Sequence, residues 1–102
     1  MSIMEKTKLQ IKQAGAQFFS GKAFGVEEEG NRIQFNMAHL PHSIVCEYNQ
    51  IDGWFTYLTA SREIIEHREL DVAYSHLSRI TTNINEEYGL DQRAFAFQYG
   101  FN

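Results

Sequence analysis

The sequence predicts an α+β domain with the element order α-β-β-β-β-α-β. Three observations carry this. Apolar residues recur at helical spacing over Ile3–Phe19 and Glu69–Tyr88, the stretch between them alternates apolar and polar residues with period two, and turn signals punctuate that stretch. At 102 residues the chain is the size of one domain. A chain this long buries roughly 65% of its unfolded surface, enough for a core without disulfide or metal staples. Its 43% hydrophobic and 22% charged content is that of a globular protein and excludes global disorder.

The first helix is expected from Ile3 to about Phe19. Met4, Thr7, Ile11, Ala14 or Gly15, and Phe18 return every three or four residues, Lys8 and Lys12 fall on the wet flank, and Ser20–Gly21 supply the stop. Gly15 costs that helix about 1 kcal/mol relative to Ala, a loss that close packing on a sheet would explain. Four strands follow as an antiparallel meander. Phe24 and Val26 alternate with small or polar neighbours up to a turn at Glu29–Gly30–Asn31, and Ile33, Phe35 and Met37 then alternate with Arg32, Gln34 and Asn36. Leu40–Pro41 ends this ladder, because Pro has no amide proton to donate. Ser43–Gln50 and Trp54–Thr59 flank Asp52–Gly53, a strong hairpin signal.

Ser61–Arg68 fits neither period. From Glu69 to Tyr88 the residues Leu70, Ala73, Leu77, Ile80, Ile84 and Tyr88 step by three or four, and Gly89 stands where a left-handed cap belongs. Arg93–Phe101 reads as a closing strand, with Phe95, Phe97, Tyr99 and Phe101 on one side. No repeat, low-complexity tract or Pro/Gly-rich linker divides the chain.

Charge narrows the function. The net charge is −4, split between a basic N-terminal stretch, with Lys6, Lys8, Lys12 and Lys22 against Glu5, and an acidic remainder with twelve acids against five Arg. A solvated basic helix resting on an acidic body accounts for the split. The functional reading is an acidic face that steers a basic partner inward. The acidic balance disfavours a direct nucleic-acid ligand, whose affinity rests on Lys and Arg. The first residues lack the apolar run of a signal peptide, and no apolar run approaches a membrane span of about 18 residues. Cys46 is the sole cysteine, which points to a reducing, cytoplasmic compartment.

Chemistry-bearing clusters are sparse. His39, His42 and Cys46 have the donor types of a zinc site, with His67 or His76 as further ligands, but their spacing matches known zinc patterns loosely. Glu63–His67 lacks the first histidine of a His-x-x-Glu-His signature. A thiolate nucleophile at Cys46 would need an activating base beside it, and a lone cysteine otherwise packs as a small apolar residue. The sequence holds no Gly-x-Ser-x-Gly elbow, Walker A loop or Gly-x-Gly-x-x-Gly fingerprint, and Glu27–Glu29 lack the spaced oxygens of a calcium loop. No catalysis and no cofactor are expected. Aromatics are the richer signal. The closing strand is either core or an edge on which Tyr99 and Phe101 invite strand addition, and Tyr48, Trp54 and Tyr57 would form a platform on the hairpin face turned from the helices.

The order of helix, meander and long second helix from about Leu9 to Tyr99 carries two short motifs. One is the strand ending in His39-Leu40-Pro41-His42, the other the helical Asn83-Ile84-Asn85 before a following strand. In these features the chain resembles the YbjN and type III secretion chaperone-like group. The resemblance implies a dimeric cytosolic protein that binds another polypeptide on its sheet and helices without catalysis. The sequence departs from that group in carrying one strand after the second helix, where members add a further strand and a closing helix.

The expected function is that of a small acidic protein-binding module, an inhibitor, adaptor or chaperone acting by stoichiometric binding. Its partner-binding residues are expected at Glu27, Glu28, Glu29, Glu63, Glu66 and Glu69, with Trp54, Tyr57, Tyr99 and Phe101. One version is a phage- or plasmid-encoded inhibitor of a basic nucleic-acid-handling enzyme, its carboxylates competing with phosphates. The alternatives are a metal- or small-ligand-binding protein or enzyme using His39, His42 and Cys46, and a homodimer assembled through the closing strand.

Overall fold

Ser2 starts the first helix. Its hydroxyl accepts a hydrogen bond from the Glu5 amide at 3.1 Å, satisfying one of the donors that a helix leaves free in its opening turn. In this computed structural model, which describes residues 1–21, 24–37, 42–59 and 68–90, that helix is α1, Ile3–Phe18. After it come β1 (Phe24–Glu29), β2 (Arg32–Met37), β3 (Ile44–Asn49), β4 (Gly53–Leu58) and α2 (Arg68–Tyr88). The α+β arrangement is the expected one, while the closing strand expected at Arg93–Phe101 lies outside the described residues. No helix among the described residues is long and apolar enough to cross a membrane.

The strands form one antiparallel sheet in the order β1-β2-β3-β4. Glu29 pairs with Arg32 across a two-residue turn, and Gly30, at φ +58°, takes its left-handed first position. The β3–β4 turn is longer than the Asp52–Gly53 dipeptide alone suggests. Asn49 pairs with Gly53 across three residues, and the Asn49 side-chain oxygen accepts from the amides of Ile51 and Asp52 at 2.8 and 2.7 Å.

Strand register separates the two faces. Met37, Phe35 and Ile33, their β3 partners Ile44 and Cys46, and Trp54 beyond them are all under 5% exposed and lie beneath the helices. α2 packs over β4 and β3, and α1 lies beside α2 over β2. Hydrophobic burial of this kind contributes about 25 cal/mol per Å² of apolar surface and supplies the main cohesion between the layers. Gly15 makes the close approach of α1 possible: a Cβ there would lie 2.2 Å from Phe35 Cε1. Phe19, just past the helix end, is fully buried and rests on both Phe24 and Phe35.

The apolar period describes α2 well but misses its polar seam. Leu70, Ala73, Leu77 and Ile84 are buried as expected, yet so are Thr81 and Asn85, whereas Ile80 and Tyr88 are only half-buried. The buried polar residues of this seam find partners. The Thr81 and Thr56 hydroxyls meet at 3.1 Å, Thr56 sits 3.6 Å from Cys46 Sγ, and Trp54 Nε1 donates to Thr7 Oγ1 at 3.0 Å. Asn85 grips the main chain of β4: its Oδ1 accepts from the Trp54 amide at 2.7 Å and its Nδ2 donates to the Trp54 carbonyl at 2.8 Å. Satisfied buried polar groups of this kind specify one arrangement, whereas unsatisfied ones are costly.

Candidate functional site

Of the residues picked out in the sequence, Glu27, Glu28 and Glu29 share β1, an edge strand exposed from Gly25 to Glu29. Alternation places Glu28 on the helix side and Glu27 and Glu29 on the open side. Glu28 is paired, and Lys8 and Lys12 do not simply line the wet flank of α1. Lys12 Nζ approaches the Glu28 carboxylate to 2.7 Å and Lys8 Nζ to 3.6 Å, with Lys8 also donating to the Gly30 carbonyl at 3.0 Å. The Lys12 hydrogen bond, opposed by some desolvation and helped by the charges of Lys12 and Lys8, holds the Glu28 carboxyl below its ordinary value.

On the open side the acids stand differently. Glu27 faces Gln34 across the strand pair, so no base opposes it, while Glu29 faces Arg32. Arg32 in turn lies 3.7 Å from Glu47, whose carboxylate accepts from the Tyr57 hydroxyl at 3.0 Å. The Tyr57 hydroxyl first, then the neighbouring carboxylates of Glu47 and Glu29, favour the charged guanidinium. Tyr57 stacks on Phe55 with ring centroids 5.7 Å apart, and both are half-buried.

The expected three-aromatic platform does not form. Tyr48 and Trp54 pair on the helix side, 5.8 Å between centroids, and Trp54 is 1% exposed, whereas Tyr57 is on the opposite face beside Phe55. Trp54 and Tyr57 are three residues apart on one strand, and an odd separation always divides the faces, so this parity was legible in the sequence. Phe55, with its even offset from Tyr57, is the aromatic that the sequence reading missed. Glu69 is half-buried in the first turn of α2. Glu63, Glu66, Tyr99 and Phe101 lie outside the described residues.

The nucleophile and metal candidates are separated from this surface. Cys46 is fully buried under the helices, and burial, partly offset by the Thr56 hydrogen bond, pushes its thiol up to about 11. His76 stacks on Phe18 at 4.6 Å between the two helices, and His42 is half-buried ahead of β3. His39 and His67 lie outside the described residues, among which no group of three His, Cys, Asp or Glu is placed to hold a metal ion.

The two sheet edges are not equivalent. The Tyr48 amide donates to the Asn31 carbonyl at 3.0 Å, which sets the phase of the ladder. Odd-numbered β2 residues therefore bond to β3, even-numbered ones bond to Gly25, Glu27 and Glu29, and the N–H and C=O of Phe24, Val26 and Glu28 point out from the sheet. On β4 the outward groups of Trp54 are taken by Asn85. Val26, beside the free groups of β1, is 39% exposed. No family model, curated protein or solved structure matches the chain.

Proposed function

We propose that this protein is a stoichiometric protein-binding module whose acidic β1 side receives a basic polypeptide. The observation that supports the reading best is the state of β1: five of its six residues are exposed, and Glu27 projects from it with no base across the strand. Exposed ion pairs contribute only about 0.2–1 kcal/mol each, so the charge selects a partner and speeds encounter more than it sets affinity. The module acts as inhibitor, adaptor or chaperone according to what its partner does, and inhibition of a basic nucleic-acid-handling enzyme is the sharpest form of the proposal. The resemblance to the YbjN and type III secretion chaperone-like group supports it at the level of architecture alone. A buried free thiol at Cys46 suits a reducing compartment and so favours the cytoplasm.

The test compares the full chain with the Glu27→Lys/Glu29→Lys variant as paired baits in extracts of the native host. A stoichiometric partner held by the native chain, released by salt and lost by the variant is the expected result. A partner retained equally by both baits, at low and high salt, would refute acidic recognition at β1.

A further inference from the structure

We infer that the partner binds as a fifth strand along β1, through an extended segment in which two basic residues at alternate positions lead into an apolar one. This rests on the protein-binding reading above and specifies its geometry. The outward N–H and C=O groups of Phe24, Val26 and Glu28 form one side of a ladder that no strand among the described residues completes, on a strand exposed from Gly25 to Glu29. Main-chain bonds of that kind supply affinity in strand addition, and side chains on alternate faces supply selectivity.

The two faces of β1 ask for different side chains. An antiparallel segment that bonds to Val26 and Glu28 sets its alternate residues across from Glu27 and Glu29 on the open face, where basic side chains are favoured. On the helix side it lays a residue against Val26, an apolar side chain still 39% exposed. Read from its own N-terminus, opposite Glu29, the segment is basic–polar–basic–apolar–polar–apolar.

A second copy of this chain is a poor occupant. Two-fold pairing of β1 with itself has two registers that join outward groups over five of its six residues, Val26 on Val26 or Val26 on Glu28. Both put the Glu27 carboxylates of the two copies on one face, opposite or diagonal to each other, and like charges so placed oppose pairing. The other edge is closed at Trp54 by Asn85. Charge and edge chemistry therefore favour a different, basic chain on β1.

The experiment titrates the 102-residue chain with the capped peptide Lys-Thr-Lys-Val-Thr-Val and follows amide resonances and hydrogen exchange. The expected result is slowed exchange at the Val26 and Glu28 amides. Binding should weaken about tenfold in Glu27→Lys/Glu29→Lys. It should also be lost with a peptide N-methylated at the residues opposite Val26 and Glu28. A peptide that binds in a charge-dependent way but tolerates N-methylation would overturn strand addition while leaving acidic protein binding intact. Failure of the peptide to bind at all would overturn the proposed segment chemistry. Slowed exchange at the same two amides in a self-dimer, without peptide, would show that a second copy is the occupant instead.

Discussion

Replacing Asn85 by Leu tests whether the polar seam under α2 holds β4 in place. The substitution keeps side-chain volume nearly constant and removes both amide contacts to Trp54, at 2.7 and 2.8 Å. The Trp54 amide and carbonyl are then left beneath the helix with no partner, and Trp54 itself is 1% exposed, so water does not reach them readily. Each unsatisfied buried group costs about 1–3 kcal/mol. Better helix propensity at the position returns only a few tenths of a kcal/mol. The net loss is therefore about 2–5 kcal/mol, a large part of the stability of a domain this size.

Urea unfolding followed by Trp54 fluorescence measures the loss directly, because Trp54 is the sole tryptophan and its ring is buried in the native state. With a slope of roughly 1.5 kcal/mol per molar urea, the midpoint should fall by about 1–3 M. A midpoint within about 0.3 M of the native protein, at unchanged slope, would refute the clamp and show that apolar packing alone holds α2 against β4.

Three further outcomes follow from the same contacts. Gly15→Ala should destabilise by about 1–3 kcal/mol despite its better helix propensity, because the new methyl meets the Phe35 ring; pairing it with Phe35→Leu should recover part of the loss, and a stabilised single variant in urea would contradict the close approach. Cys46 should resist thiol reagents at about pH 8 in native protein and react fully in denaturant, whereas fast native labelling would show that the helices open over β3. Glu28→Gln should cost less than about 1 kcal/mol near neutral pH, since the lysine pairs are partly exposed and salt-screened. The depressed native value sets the sign. The unfolded chain takes up the proton first as pH falls, so the contribution is complete above the ordinary value of 4.5 and is lost as pH falls through the lower native one. Paired unfolding curves should therefore converge in acid, and a difference that persisted there would refute the ion-pair account.

The two periods in the sequence were sufficient for the elements themselves. Recurrence every three or four residues locates α1 and α2 to within a residue of their observed ends, and alternation through Ile33, Phe35 and Met37 locates β2, because backbone geometry alone sets those repeats. Glycines located breaks for the same local reason: Gly21, Gly30, Gly53 and Gly89 all have positive φ. Parity even held the correct faces of Trp54 and Tyr57. What local pattern leaves open is which face is covered, which edge is blocked and which charges meet, since these join residues distant in the chain. Thr81 and Asn85 fall outside the apolar period of α2 and became core only when Thr56 and Trp54 arrived to satisfy them. Glu27, Glu28 and Glu29 read as one acidic run. Tertiary packing divided it, carrying Lys8 and Lys12 onto Glu28 and leaving Glu27 on an open edge without an opposing base.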